Sequence, residues 1–186
     1  MDSRLYVALV HYPVIDKNGE TIASAVTNLD LHDIARACRT FGVHGFYVIT
    51  PLEDQQVLVN RILDHWTSGV GSRYNPNRGQ ALERIQVTAD AGGMIADITR
   101  RHGCRPRVVA TSARQGNDRL SCDRLRRMMA QSPPLVLAFG TAWGLADEFM
   151  AAADHVLEPL VGKGTYNHLS VRSAVAIILD RLVSVP

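Results

Sequence analysis

The 186-residue chain lacks any run approaching the roughly 18 consecutive apolar residues that a membrane-spanning helix requires, so no span is expected. Its opening, Met1-Asp2-Ser3-Arg4-Leu5, carries an acid and has no secretory-signal profile. Cysteine is sparse: Cys38, Cys104 and Cys122 are widely spaced and form no CxxC pair. That disfavours both a disulfide framework and a cysteine-based zinc site, and it fits a reducing, cytoplasmic location. Lysine is almost missing, since Lys17 and Lys163 are the only two among 20 basic residues and the other 18 are arginine. Guanidinium groups suit bidentate contact with phosphate and stacking on bases. A codon bias towards arginine gives the same count, and the net charge is only +2, so composition permits a nucleic-acid partner without indicating one.

Several chemical fingerprints are also missing. No GxGxxG follows an apolar strand, which removes the mark of a dinucleotide site. Gly162-Lys163-Gly164-Thr165 superficially resembles a phosphate loop, but Leu157 stands where its first glycine belongs, and Gly164 where Ser or Thr belongs. There is no GxSxG elbow. His11, His44, His65, His102 and His155 show no metal-ligand spacing, so no metal is expected.

What is present reads as one domain, residues 1–186, of ordinary globular composition with 46% hydrophobic and 20% charged residues. Apolar runs predict strands over 5–10, 45–49, 85–87, 107–110, 135–139 and 155–157. Helical periodicity predicts helices over 29–41, 54–65, 91–101, 122–131, 146–152 and 170–183. Strands without in/out alternation, alternating with helices, indicate an α/β domain with a mostly parallel sheet covered on both faces. Two long connections remain. Residues 14–27 carry the turn-rich Asp16-Lys17-Asn18-Gly19, and residues 67–80 hold Tyr74 between Arg73 and Arg78. The second reads either as a mobile surface loop or as a grip for single-stranded nucleic acid.

Three segments could carry chemistry. In the first predicted helix, Leu31, Ile34, Ala35, Cys38 and Phe41 form the buried stripe, while His32, Arg36 and Arg39 share another face and Asn28 and Asp30 stand at the helix start. The cluster offers a base, an acid and an arginine to a ligand. Each also has a structural reading: Thr27 with Asp30 as a capping box, Asp33 with Arg36 as an i,i+3 ion pair. In the second segment, Phe139-Gly140-Thr141-Ala142-Trp143-Gly144-Leu145 follows an apolar strand, where parallel sheets bind ligands. The third is a glycine-rich stretch from Leu157 into a helix with Asn167 or Ser170 as N-cap. That last helix is apolar nearly all round, and a second copy of the chain is the simplest cover for the side the sheet leaves open, predicting a homodimer.

Together these segments resemble the SPOUT class of S-adenosylmethionine-dependent RNA methyltransferases. Asn28-Leu29-Asp30-Leu31-His32-Asp33-Ile34-Ala35-Arg36, with Gly42 six residues after the arginine, is similar to that class's first motif. Gly140 to Leu145 is similar to the second, and Tyr166-Asn167-His168-Leu169-Ser170-Val171 to the third. With His11-Tyr12-Pro13, the four segments in order are most similar to stand-alone bacterial SPOUT domains related to the tRNA guanine-N1 methyltransferases. The resemblance implies a deep carboxyl-terminal trefoil knot, against the general rarity of knots. It also implies an obligate homodimer and S-adenosylmethionine as cofactor.

The cofactor would lie among Thr111, Ser112 and Ala113; Phe139, Gly140, Thr141, Trp143, Gly144 and Leu145; and Leu157, Pro159, Leu160, Gly162, Tyr166, Asn167, Leu169 and Ser170. Backbone amides near Gly140, Gly144 and Gly162 would hold its adenosine part. Arg36, Asp30, His32 and Asn28 would be catalytic, with Asp30 or His32 removing the acceptor's proton. Arg73, Tyr74 and Arg78 would grip RNA, tRNA or rRNA. The ribose-methylating branch has a glutamate in its second motif where this chain has Ala142-Trp143, which leaves base nitrogen and ribose 2′-oxygen both open as acceptors. A non-catalytic RNA-binding protein that retains the cofactor pocket is the alternative.

Overall fold

The computed structural model describes residues 4–131 and 133–184. Strands β1 (Leu5–Val10), β4 (Gly45–Ile49), β5 (Ile85–Thr88), β6 (Arg107–Ala110), β7 (Leu135–Gly140) and β8 (His155–Val156) form one sheet in the order β5-β4-β1-β7-β6-β8. All five pairings are parallel. The expected α/β class is therefore observed, and each predicted strand lies within a residue of its predicted bounds.

Burial explains why alternation was absent from the sequence. All six residues of β1 are buried, but they serve two cores. Leu5, Val7 and Leu9 pack on one face beneath helices α1 (Asn28–Thr40), α2 (Glu53–Thr67), α6 (Cys122–Gln131) and α8 (Val171–Val183). Tyr6, Ala8 and Val10 pack on the other, against α5 (Ala91–His102) and α7 (Asp147–Ala152). A strand covered on both sides is apolar throughout. Among the described residues, no helix is long and apolar enough to cross a membrane, and Cys38, Cys104 and Cys122 are free thiols.

Two connections differ from expectation. Within residues 14–27, Val14–Ile15 (β2) pairs antiparallel with Thr21–Ile22 (β3), a hairpin too short to register as periodicity. Residues 67–80 are not a loop: they hold α3 (Val70–Tyr74) and α4 (Pro76–Leu82). Asn75 caps α4 by accepting the Arg78 amide at 3.1 Å, and Pro76 occupies the first turn. The glycines that suggested flexibility serve close approach instead. A Cβ on Gly79 would stand 2.6 Å from the Trp66 carbonyl oxygen, and one on Gly71 2.8 Å from the Trp66 ring.

The chain runs β1→β4→β5 towards one edge of the sheet, then builds β6, β7 and β8 on the other side of β1. At the junction of β1 and β7 the two crossovers leave in opposite directions, α1 on one face and α7 on the other. Doubly wound sheets open a crevice at such a switch point, outside the carboxyl ends of the strands. His11, the residue after β1, is fully buried there, at 0% exposure. Burial holds its imidazole pKa down to about 4, against a favourable charge from Asp30 and a favourable Ala25 backbone contact.

Two measurements check this account. Gly79→Ala is expected to cost roughly 1–3 kcal/mol in denaturant unfolding, because the new methyl meets backbone rather than a movable side chain. His11 is neutral when folded, so its contribution to stability is complete above its unfolded pKa near 6.5 and is lost as pH falls from there to about 4. Unfolding free energy should therefore decline more steeply through that window in the wild-type chain than in His11→Asn.

Candidate functional site

The segment after β7 turns sharply. Gly144 has φ +114°, and Ala142, the residue at the loop's tip, has φ +50°. A side chain on Gly140 is excluded, since its Cβ would lie 2.5 Å from the Leu145 amide nitrogen. Loop 141–145 is fastened to the hairpin segment: the Trp143 amide donates to the Ile15 carbonyl (3.1 Å), the Ile15 amide to the Gly144 carbonyl (3.0 Å), and the Ala146 amide to the Pro13 carbonyl (3.2 Å). The Gly144 amide is also engaged, on Thr141 (2.9 Å). Of the amides expected to hold the cofactor, near Gly140, Gly144 and Gly162, that of Gly144 is thus used to shape the loop, as is its neighbour on Trp143.

Parallel pairing brings the loops after β6, β7 and β8 to one edge of the sheet. Thr111 donates its amide (2.9 Å) and hydroxyl (3.0 Å) to the Ala138 carbonyl of β7. Leu157 donates to Ala110 of β6 (2.9 Å). Leu120 pairs beside Leu157, donating to the Val156 carbonyl at 2.8 Å. A cleft of about 440 Å³ opens between the first two loops and α7, lined in part by Ser112, Arg114, Asn117, Arg119, Trp143, Gly144, Leu145 and Asp147. Ser112, Trp143, Gly144 and Leu145 are the expected cofactor residues that line it. Phe139 and Leu157 are buried beneath the edge. Gly162, Tyr166, Leu169 and Ser170 are exposed and Asn167 half-buried, outside that lining. Tyr166 stacks edge-on with His168 at 5.4 Å.

The first and third motifs meet through an arginine that motif reading left without a role. Arg172, in the first turn of α8, donates to Asp30 at 3.2 Å and lies 3.5 Å from Asp33. Asp33 therefore pairs with Arg172 and not with Arg36 as its spacing suggested. Thr27 is the N-cap of α1, and its hydroxyl donates to the second oxygen of Asp30 at 2.6 Å. Asp30 is 7% exposed with both oxygens engaged. Ser170 caps α8 by accepting the Ser173 amide (3.3 Å).

His32 and Arg36 leave α1 towards α2 and α4. The His32 ring meets Trp66 edge-on at 5.4 Å, and the Arg78 guanidinium lies 4.5 Å above the Trp66 ring. Burial, then the charges of Arg78 and Arg36, hold the His32 pKa below its ordinary value. Arg36, Arg78 and His32 therefore form one basic group. Tyr74, 87% exposed, and Arg73 stand on short α3. Asn28 is exposed at the start of α1. Within one chain, then, Asp30 is tied to α8 and His32 packs on Trp66, and neither His32 nor Arg36 lines the cleft. Among the described residues, no three His, Cys, Asp or Glu side chains gather as a metal site requires.

The residues present suit S-adenosylmethionine: the cleft combines apolar Trp143, Leu145 and Met150 with carboxylate Asp147, next to a glycine position that admits no Cβ. Arg119, Asn117 and Asp147 were missed because single polar residues in a connecting segment carry no sequence signal. His11 stood in the His11-Tyr12-Pro13 segment without a role of its own, because nothing local in the sequence shows what its ring will meet.

The pattern of a family described as SAM-dependent RNA methyltransferase matches residues 4–184. The chain is 50% identical over 179 residues to a protein of Nitratidesulfovibrio vulgaris named tRNA (guanine-N(1)-)-methyltransferase, covering 96% of this chain and 42% of that protein. It is 36% identical over 185 residues to an uncharacterized protein of Aquifex aeolicus, covering 99% and 90%. The chain thus spans less than half the length of the curated methyltransferases it matches. Among solved structures, a probable methylase family protein from Haemophilus influenzae superposes with TM-score 0.65 at 15% identity, covering 98% of this chain and 66% of that one. The SpoU methyltransferase AviRb from Streptomyces viridochromogenes, crystallised with AdoMet, gives 0.58 at 18%, covering 98% and 58%. The fold is the one these SPOUT enzymes share, and by the match over residues 4–184 the chain belongs to the SAM-dependent RNA methyltransferase family.

Proposed function

We propose that this chain transfers a methyl group from S-adenosylmethionine to RNA, with tRNA as the first substrate to test, and that it works as a homodimer. The observation that carries the reading is the convergence of the β6, β7 and β8 loops on one sheet edge around a glycine with no room for a side chain. When bound, the cofactor supplies an electrophilic methyl group on a sulfonium. This chain's own part is to hold and orient. Thr111, Ser112 and Ala113, the 139–145 segment, and Leu157, Pro159, Leu160, Gly162, Tyr166, Asn167, Leu169 and Ser170 would enclose the cofactor, with Asp147 and Arg119 at its charged ends. Alignment of the two reactants can supply a large share of the rate.

Arg36 would contact the target phosphate or polarise the acceptor. His32, kept neutral among Arg78 and Arg36, is the better candidate for taking the acceptor's proton, because both oxygens of Asp30 already have partners. Arg73, Tyr74 and Arg78 would extend the RNA surface from this basic group. Since neither His32 nor Arg36 lines its own chain's cleft, a second copy would present them to it. Exposed Trp143, Tyr166 and Leu169 and the half-buried Ala174 and Ile177 of α8 favour such a contact. The proposal includes the trefoil knot: β6 lies between β7 and β8, and the chain then returns through α8 to α1 and α6. It also assumes a reducing cytoplasm, in keeping with the three free thiols.

Guanine N1 is the proposed acceptor, on the name of the relatives. The ribose 2′-oxygen is the second reading, because those relatives carry more than half their length outside the match. Incubation with methyl-labelled S-adenosylmethionine and bulk tRNA, followed by nucleoside mass spectrometry, is expected to yield labelled 1-methylguanosine. Labelled 2′-O-methylnucleosides would favour the second reading, and no incorporation would leave an RNA binder. Arg36→Ala should lower methyl transfer by about 10²–10³-fold while cofactor affinity stays within twofold, as for loss of one charge-stabilising donor. Gly140→Ala should do the reverse: calorimetric affinity for S-adenosylmethionine falls at least about tenfold, because the loop must shift to admit the methyl.

A further inference from the structure

We propose that His11 is a positioning residue, which holds the loop after β7 in its ligand-ready shape through a hydrogen-bonded bridge by way of Ser24. The proposal rests on the reading that this loop bounds the cofactor.

His11 is the first residue beyond the central strand, at the switch point, and its backbone is fixed on both sides. Its amide donates to the Ile49 carbonyl of β4 (2.9 Å), and its carbonyl accepts the Ser24 amide (2.8 Å). The ring is entirely buried, and Nδ1 lies 3.0 Å from Ser24 Oγ. Ser24 Oγ in turn hydrogen-bonds Thr141 Oγ1, and Thr141 donates its hydroxyl to the Val10 carbonyl (3.0 Å). The bridge thus starts and ends on adjacent residues, Val10 at the end of β1 and His11 just beyond it, and clasps the first residue of the β7 loop between them.

Loop 141–145 needs such a clasp. It carries a non-glycine residue at positive φ, Ala142, and a conformation of that kind persists only where its surroundings over-determine it. The hairpin's main chain holds the far end, at Trp143, Gly144 and Ala146. The His11–Ser24–Thr141 bridge is the side-chain restraint at the near end. His11 Nε2 is buried with no hydrogen-bond partner among the described residues. Keeping a polar atom in that condition is costly, and a leucine or phenylalanine in its place would avoid the cost. A histidine here is explained by what Nδ1 does.

The groups facing the ring are the Asp30 carboxylate from α1 and the Ala25 backbone, both favouring charge, against burial that opposes it. Because Thr141 spends its proton on the Val10 carbonyl, Ser24 Oγ donates to Thr141 and accepts from the Nδ1–H of the neutral ring, a donor role that an asparagine side-chain NH2 can fill at that place.

The test uses the full-length chain with S-adenosylmethionine as probe, read by titration calorimetry and by hydrogen exchange. His11→Phe removes the bridge and keeps a flat ring, at the cost of some added volume that Ser24→Ala does not share. It is expected to weaken cofactor binding about tenfold and to speed exchange of the Trp143 and Gly144 amides about tenfold, with β4 and β5 amides unchanged. Ser24→Ala, a milder change at a half-buried position, should give the same two effects, and the double variant should be no worse than either single one. His11→Asn should restore both readouts to near wild type. Wild-type affinity and loop exchange in His11→Phe and Ser24→Ala, additive effects in the double variant, or an asparagine variant as impaired as phenylalanine would each overturn the proposal. If the wild-type chain itself takes up no S-adenosylmethionine, the cofactor reading fails, and loop exchange in the variants still decides whether His11 holds the loop.

Discussion

The site depends on the pairing of β1 with β7, in which Val10 stands opposite Gly140. These neighbouring strands are distant in sequence, and their crossovers run to opposite faces of the sheet. The crevice that results is a consequence of chain direction, not of any residue at the site. Once it exists, the loop after β7 has to cross it at close quarters. Gly140 is required by the 2.5 Å approach of the Leu145 amide, and Pro13 with Ile15 of β2 completes the loop's hydrogen bonding. A two-stranded hairpin of this size would not persist alone. Its hydrogen bonds to the loop justify its place in the fold.

A second constraint joins the helices. Arg172 bridges Asp30 and Asp33, drawing the start of α8 against the start of α1. Asp30 is 7% exposed, so its charge is tolerable only with both oxygens engaged, by Arg172 and by the Thr27 hydroxyl. The same pairing turns the acidic side of α1 towards α8, while His32 on another side meets Trp66, over which Arg78 lies. One helix thereby carries two polar sides, an acidic one tied to the third motif through Arg172 and another on which His32 packs against Trp66.

The strands were legible because full burial on both faces leaves an apolar run that short composition windows detect, as in Leu5–Val10 and Leu135–Gly140. The helices were legible from stripes such as Leu31, Ile34, Ala35 and Cys38, all buried as the spacing required. Residues 67–80 misled because glycine has two uses. Gly71 and Gly79 allow the helices to approach Trp66, and in sequence that is indistinguishable from a flexible loop. The motif residues were legible as a set, but their contacts were not. Asp33 had a partner at the right spacing in Arg36 and took a more distant one in Arg172, because a fixed partner across a helix interface outweighs an exposed i,i+3 pair.

Sequence alone determined the layered α/β class, the helix cap at Thr27 and membership of a methyl-transferring family, because each is written in local spacing or motif order, while it left Asn167 and Ser170 both open as the cap of α8. Tertiary structure alone decided that His11 and Ser24 reach Thr141, that Arg172 closes on Asp30, and that His32 packs on Trp66 outside the cleft lining. Those contacts join residues 117 to 142 positions apart, or single polar side chains with no periodic signal, and only the strand order brings them within hydrogen-bonding reach.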